Sequence, residues 1–131
     1  MEPARRLGLF SAVGCAGFLL QLATMVVLTR VFEWHVVWAA LVAVEAAIVH
    51  NYFAHTRWTW ADRPAMTFRE RLVRPLRYQG AKTLSLTANV ALTALCVAHF
   101  GLEPVMANVI AVGCCAVLNY QLSNRVVFVE R

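Results

Sequence analysis

The sequence is poor in charged residues and lacks the motifs of soluble enzymes. Only 15% of its 131 residues are charged and 60% are hydrophobic, whereas a typical soluble domain has about 25% charged residues. No nucleotide-binding loop of the Gly-x4-Gly-Lys-Ser/Thr type is present, so we expect no ATP consumption by this chain. No paired carboxylates and no Ser/His/Asp or Cys/His arrangement suit catalysis. We therefore expect a non-enzyme without a cofactor.

The sequence also lacks a pattern typical of a metal site. None of the four cysteines has metal-ligand spacing with a histidine, so we interpret them as small packing residues. Glu45, His50 and His55 are each five residues apart, which places successive members about 140° apart on a helix. They do not share a face, and we reject metal binding. The cysteines are Cys15, Cys96, Cys114 and Cys115.

What the sequence does contain is four long apolar runs. They cover residues 7–29, 35–54, 78–100 and 104–123, and about 20 helical residues cross a ~30 Å hydrocarbon core. The sequence predicts an all-α integral membrane protein with one domain over residues 1–131. Pro104 stands at the first position of the fourth run, where a helix tolerates proline.

The basic residues lie mostly on one side of these spans. Arg5 and Arg6 precede the first span, Arg125 and Arg131 follow the fourth, and only Arg30 lies on the opposite side. The positive-inside rule then predicts an inner-membrane protein with both termini in the cytoplasm. The net charge of +5 favours anionic lipid headgroups as neighbours over nucleic acid. A signal peptide is disfavoured because the first apolar run exceeds the usual length of about 7–15 residues.

A basic stretch connects the second and third spans. Its apolar and basic residues alternate at helical spacing, which predicts a short interfacial segment on the inner leaflet. A topology determinant without another task is the alternative. The residues are Phe68, Arg69, Arg71, Leu72, Val73, Arg74, Leu76 and Arg77.

Small residues in the spans predict close helix packing. Ala39, Ala43 and Ala47 recur every four residues and form one stripe. We expect the same role for three glycines of the first span and for a patch of the fourth. These are Gly8, Gly14 and Gly17, and Gly113, Cys114, Cys115 and Ala116.

Polar residues inside the spans are candidates for function. Glu45 lies near the midpoint of the second span, where an ionisable group costs ~3 kcal/mol and indicates a functional site by default. A structural tether between helices is the alternative. Gln21 and Asn89 are 68 residues apart in the first and third spans, and each suits either an interhelical hydrogen bond or a ligand.

The same offset of 68 relates the ends of the second and fourth spans. An Asn-Tyr pair precedes Arg57 and recurs before Arg125, and an aromatic residue stands three positions after each arginine. The pattern predicts two parallel two-helix repeats. The pairs are Asn51-Tyr52 and Asn119-Tyr120.

These repeated residues suit a ligand with a phosphate group and hydroxyl groups. An arginine side chain offers a planar donor fork that matches phosphate oxygens, and asparagine amides both donate to and accept from hydroxyl groups. Trp58 and Trp60 suit either a membrane-interface belt or the face of a sugar ring. For the arginines, a role in topology alone is the alternative.

The four spans, the basic loop and the two Asn-Tyr-x4-Arg endings resemble the GtrA family from about Arg6 to Phe128. Gln21 and Val126 depart from the usual polar and aromatic residues of that pattern. The resemblance implies movement of polyprenyl-phosphate-linked sugars for cell-surface polysaccharide synthesis, and similar domains are fused to dolichyl- or polyprenyl-phosphate glycosyltransferases.

Our leading hypothesis is therefore a flippase for a polyprenyl-phosphate-linked sugar. Its expected binding residues are Arg57, Arg125, Asn51, Asn119, Glu45, Gln21, Asn89 and Trp58. A membrane anchor for a partner glycosyltransferase is the second hypothesis. A small multidrug-type cation exporter is the third, although that family has its membrane carboxylate in the first span. Four short helices enclose little volume, which favours a homodimer.

Overall fold

The computed structural model describes residues 2–65 and 67–129. The helices are α1 (Pro3–Arg30), α2 (Val36–Ala54), α3 (Phe68–Phe100) and α4 (Pro104–Leu122), and α2 and α4 continue into five-residue π-helices, His55–Thr59 and Ser123–Val127. The described residues form no strand. Each of the four α-helices belongs to a segment long and apolar enough to cross a membrane. An all-α architecture with four candidate spans is thereby confirmed.

The start of α3 differs from the predicted boundary. α4 begins at Pro104 as predicted, but α3 begins at Phe68, ten residues before the predicted start of the third span. The basic residues 68–77 are therefore the first turns of α3, and a segment separate from the third span is not confirmed. Thr67 and Glu70 form a reciprocal capping box that fixes this start, and the helix continues through Pro75.

α3 is longer than a membrane span requires. Its 33 residues extend about 50 Å at 1.5 Å per residue, whereas the hydrocarbon core is about 30 Å thick. The helix ends at Gly101, whose positive φ of 60° allows the left-handed cap that a glycine adopts without strain. The chain then enters α4 after a short connection, so the surplus length of α3 lies at its basic beginning.

The chain forms two compact units, Met1–Pro64 and Ala65–Arg131. In the first unit, α1 packs against α2 along the predicted alanine stripe, and Ala39, Ala43 and Ala47 are all buried. α1 contributes Phe10 and Val13 to the same interface. The predicted packing role of the stripe is confirmed, because small side chains allow two helix backbones to approach closely.

The second unit buries the positions that lie 68 residues later. α3 packs against α4 and against the second π-helix, and the Ser85 hydroxyl donates a hydrogen bond to the Cys115 carbonyl over 3.5 Å. Seven pairs of residues that lie 68 positions apart are buried in both units. Four pairs lie on the first helix of each unit (α1 and α3), and three lie on the second helix (α2 and α4). They are Arg6 and Arg74, Phe10 and Tyr78, Val13 and Ala81, Gly17 and Ser85, Ala39 and Ala107, Ala43 and Ala111, and Ala47 and Cys115.

Gly17 is the glycine at which α1 and α2 approach most closely. The amide of Asn51 lies against its Cα, so that a Cβ atom at position 17 would overlap the amide nitrogen, oxygen and carbon. Gly8, Gly14 and Gly113 have no such neighbour and are exposed. The predicted packing role therefore holds for Gly17, and it is wrong for the other three within their own units.

The cysteines divide in the same way. Cys96 and Cys115 are buried, as expected of packing residues, whereas Cys15 and Cys114 are exposed. Ala116 is also exposed, so the predicted close-packing patch of the fourth span contributes only Cys115 to the interior of its unit. The cause is helical geometry, because residues adjacent in sequence point about 100° apart.

We predict that Gly17→Ala destabilises the protein by about 1–3 kcal/mol, the usual cost of overpacking, because the new methyl group displaces the Asn51 amide. Gly14→Ala on the same helix meets open space, and alanine is the better helix former. We expect that variant to be neutral or slightly stabilising. Thermal unfolding of the purified protein in detergent measures both.

A double variant tests the cause. If the clash with Asn51 is responsible, Gly17→Ala combined with Asn51→Ala is less destabilised than the sum of the two single variants. Strict additivity would contradict the close approach.

Candidate functional site

Each unit ends its second span in a π-helix, and the arginine of each Asn-Tyr-x4-Arg ending lies there. The Trp60 N–H group donates to the His55 carbonyl over 2.8 Å, and the Phe128 N–H group donates to the Ser123 carbonyl over 2.8 Å. These bonds join residues five apart, which is the π-helical pattern, and such turns occur frequently at functional sites.

Arg57 and Arg125 each stand third in their π-helix and are exposed. Among residues 2–65 and 67–129, neither guanidinium group has an ion-pair partner. A positive charge at the end of a helix also interacts favourably with the helix dipole. Both guanidinium groups are thus open to an anion from outside their unit.

The aromatic residues three positions after these arginines are core residues. Trp60 and Phe128 are both 0% exposed. In the first unit the Trp60 ring meets Phe10 and His55 edge-on, at centroid distances of 5.9 and 5.1 Å. The interpretation of Trp60 as a belt or sugar-stacking residue is therefore wrong. Trp58 is 54% exposed and stays available for either role.

His55 is also buried inside the first unit. Its ring stacks on Phe10 at 5.0 Å, and its Nδ1 atom lies 3.0 Å from the Thr59 hydroxyl. The imidazole therefore stabilises the buried side of the π-helix through its contacts with Thr59 and Phe10.

The asparagines of the two Asn-Tyr pairs continue the small-residue stripes by one further turn. Asn51 follows Ala47 by four residues, and Asn119 follows Cys115 by four. Asn51 lies against Gly17 and within 3.1 Å of the His50 ring nitrogen. The Asn119 side-chain oxygen is buried without a hydrogen-bond partner among the described residues. Asn51 therefore has a packing role, while Asn119 retains an unused acceptor.

The remaining predicted site residues are distributed along the spans. Gln21 and Asn89 are half-buried and lie one turn beyond Gly17 and Ser85. Glu45 is exposed and stands two residues from Ala47, about 200° around α2 from the buried stripe. The carboxylate therefore does not belong to the α1–α2 packing face.

Two buried arginines were not predicted as site residues. Arg6 and Arg74 are each 7% exposed, and the sequence interpretation treated both as topology signals. Their relation at an offset of 68 was available from the sequence. Arg6 forms a 2.6 Å ion pair with Asp62, which connects the start of α1 to the chain after the first π-helix. Arg74 lies over the Phe128 ring, 5.4 Å from its centroid.

The Arg6 guanidinium lowers the pKa of Asp62. Partial burial would raise this pKa, but attraction by Arg6 and a backbone hydrogen bond outweigh it, and the pKa of the carboxyl falls below its ordinary value of 3.8. A lowered folded-state pKa means that the pair stabilises the protein above pH 3.8, and that this contribution is lost as the pH falls through the folded-state value.

We predict that Asp62→Asn lowers the free energy of unfolding at pH 7 by about 1–2 kcal/mol, between the values for exposed and buried ion pairs. Arg6 is buried and Asp62 is partly exposed, which supports an intermediate value. The difference from the unmodified protein should shrink as the pH falls below 3.8 through the lowered pKa of Asp62. Unfolding in detergent at pH 7 and pH 3 measures this.

Glu33→Gln is the matched control because it removes one acidic charge from the exposed α1–α2 connection. An equal loss of stability in both variants would mean that net charge, rather than the Arg6–Asp62 pair, is responsible.

Comparison with known proteins gives one family. The family model described as GtrA/DPMS, transmembrane domain, matches residues 9–128. No curated protein matches the chain.

Proposed function

Because the chain belongs to the GtrA/DPMS transmembrane-domain family, we propose that it moves a polyprenyl-phosphate-linked sugar across the cytoplasmic membrane. Family membership suggests involvement in membrane processes that use such lipids, and four candidate spans make the protein a multi-pass membrane protein. Flipping of the sugar lipid is our proposal within that class. The product would serve cell-surface polysaccharide synthesis or glycosylation.

The observation that carries this proposal is the pair of exposed arginines in corresponding π-helices. A lipid phosphate needs charged donors at the membrane interface, and guanidinium groups supply two parallel hydrogen bonds to phosphate oxygens. Arg57 and Arg125 are exposed at the ends of spans, where an approaching headgroup meets them first. We assign the phosphate contacts to these two residues.

We further propose that the two units are repeats of one two-helix element. The offset of 68 relates their helices, their π-helices and their buried residues. Parallel repeats are known among transporters, and here they would present one arginine each to the same side of the membrane. The positive-inside rule makes that side the cytoplasm, together with both termini.

The sugar requires polar contacts after the phosphate is bound. Asn119, with its unused buried oxygen, together with Gln21 and Asn89, offers hydroxyl partners, and exposed Trp58 offers an aromatic face. Glu45 is an ionisable group within a span, and we propose that a proton gradient acts through it. We propose a transporter without catalysis of its own.

We predict that Arg57→Ala and Arg125→Ala each slow translocation of a fluorescent polyprenyl-phosphate sugar about tenfold or more, since a hydrogen bond to a charged group contributes about 1.5–3 kcal/mol. Purified protein in phospholipid vesicles, with a membrane-impermeant quencher, measures the rate. The double variant should approach the rate of protein-free vesicles.

Arg30→Ala is the matched control because Arg30 is also exposed, at the far end of α1. Unchanged translocation by a folded Arg57→Ala, Arg125→Ala double variant would refute the phosphate assignment. Equal slowing by Arg30→Ala would make net charge the cause.

A membrane anchor for a partner glycosyltransferase is the second candidate. The first turns of α3 expose an apolar row, with Phe68 77% and Leu76 72% exposed. Arg69 and Arg71 are exposed on the same turns, beyond the length that a span requires. An exposed apolar row flanked by arginines suits docking of a partner at the inner leaflet.

If docking is the function, Arg69→Gln with Arg71→Gln abolishes co-purification of a co-expressed polyprenyl-phosphate glycosyltransferase, and vesicles containing the unmodified protein show no translocation. Arg30→Gln serves as the charge control. Retained co-purification would contradict the anchor hypothesis, whereas measurable translocation would favour the flippase.

A further inference from the structure

The two π-helices differ in the side chains that cross them. In the first unit, His55 and Thr59 are the first and last residues of the π-helix, and both are buried. The His55 Nδ1 atom lies 3.0 Å from the Thr59 hydroxyl oxygen, which is within hydrogen-bonding distance. Arg57 stands midway between them in the sequence. A hydrogen bond between side chains thus spans the turn that carries the exposed guanidinium group.

The second unit forms the same turn without this hydrogen bond. Ser123 and Val127 occupy the positions of His55 and Thr59, and valine has no polar side-chain atom. The Ser123 hydroxyl group is buried and has no hydrogen-bond partner within the described part of the chain. A buried hydroxyl group without a partner loses its hydration without compensation. The turn of Arg125 is therefore the less stabilised of the two.

The packing of aromatic rings differs at the same position. The His55 ring lies nearly parallel to the Phe10 ring, with an interplanar angle of 10° and a centroid distance of 5.0 Å, and it meets Trp60 edge-on. In the second unit Tyr78 meets Phe128 edge-on at 6.3 Å, but the serine in place of the histidine brings no ring. Aromatic pairs add stability beyond the apolar area that they bury, so the histidine strengthens the first turn in a second way.

An arginine that contacts a phosphate benefits from being held in place. Binding that must first order a turn loses part of its free energy to that ordering, and two parallel hydrogen bonds to a phosphate require a correctly oriented guanidinium group. A stable turn keeps its arginine in one position, whereas a turn that opens locally presents it in several. The first turn is therefore suited to a fixed contact and the second to an adjustable one.

We propose that His55 and Thr59 are positioning residues, which hold the first π-helix so that Arg57 is the fixed phosphate contact and Arg125 the adjustable one. The two arginines then contribute unequally to binding. This role rests on the proposed function, in which both arginines contact the lipid phosphate. The difference in rigidity between the two turns does not rest on it and is measurable without a ligand.

Amide hydrogen exchange of the unmodified protein in detergent micelles, followed by NMR, measures this rigidity. The Trp60 and Phe128 N–H groups close the two π-helices, each over 2.8 Å, and both residues are buried. They are therefore matched reporters of local opening. After correction for intrinsic exchange rates, the Phe128 amide should exchange about tenfold faster than the Trp60 amide, because its turn lacks the additional hydrogen bond. Equal protection would overturn the proposal without any variant.

Thr59→Val is the informative variant because it copies Val127 and removes the hydroxyl group with little change of shape. We expect exchange of the Trp60 amide to become about tenfold faster, which is the usual effect of losing one hydrogen bond to a buried group. Thr59→Ser keeps the hydroxyl group and should restore the protection. Unchanged exchange in Thr59→Val, or no restoration in Thr59→Ser, would contradict the role of the hydrogen bond.

Translocation kinetics distinguish positioning from general stabilisation. With the fluorescent polyprenyl-phosphate sugar in vesicles, Thr59→Val should raise the half-saturating lipid concentration about tenfold and leave the maximal rate unchanged, because a less ordered arginine weakens binding. Thr59→Ser should retain the original value. Gly17→Ala is the control, since it disturbs the packing of α1 on α2 but not the turn. It should lower only the maximal rate, through the amount of folded protein.

The outcomes separate this proposal from the proposed function. Faster exchange in Thr59→Val with an unchanged half-saturating concentration would make the hydrogen bond structural and refute the positioning role alone. Unchanged translocation in the folded Arg57→Ala, Arg125→Ala variant would refute the phosphate assignment and, with it, the positioning role. The exchange rates of the Trp60 and Phe128 amides would still decide whether the two turns differ.

Discussion

The close approach of two helix backbones along a small-residue stripe is the constraint on which each unit depends. In lipid, apolar side chains gain little by leaving one hydrocarbon environment for another, so helices associate through packing and hydrogen bonds. Ala39, Ala43 and Ala47 remove the side-chain bulk that would separate α1 from α2. At the next turn Asn51 meets Gly17, and a polar amide is accommodated only because that position has no side chain.

The π-helix explains how one short sequence buries an aromatic residue and leaves an arginine exposed. A bond between residues five apart brings the Trp60 N–H group over the His55 carbonyl, and the indole turns into the core. Arg57, in the middle of the same turn, is left exposed. The second unit repeats this division with Phe128 and Arg125. The buried aromatic residue thereby anchors the turn whose arginine faces outward.

Much of this organisation was predictable from the sequence. Hydropathy located four spans, the four-residue period of Ala39, Ala43 and Ala47 located the packing face, and Pro104 marked the start of α4. The capping box at Thr67 and Glu70 was also readable, but the charge of the following residues favoured a break before the third span. Local hydrogen bonding to the first turn of a helix outweighs that composition signal.

The π-helices could not be predicted from periodicity, because a change of hydrogen-bond partner over five residues leaves the apolar pattern nearly unaltered. The exposure of Trp58 and the burial of Trp60 follow from that turn and were equally out of reach. The assignments of Arg57, Arg125, Glu45, Gln21 and Asn89 to a ligand remain predictions. The structure shows only how exposed each of these side chains is.

The two units differ in the contacts of their buried arginines, and the composition of the sequence does not show this difference. Arg6 and Arg74 occupy corresponding buried positions, but a buried guanidinium is stable only with compensation. Asp62 supplies it in the first unit through a direct ion pair, and an anion already present leaves Arg6 little to offer a ligand. In the second unit the ring of Phe128 supports Arg74 from one side, and an aromatic face stabilises a cation without neutralising it. The corresponding arginines therefore have different described contacts, a carboxylate in the first unit and an aromatic ring in the second.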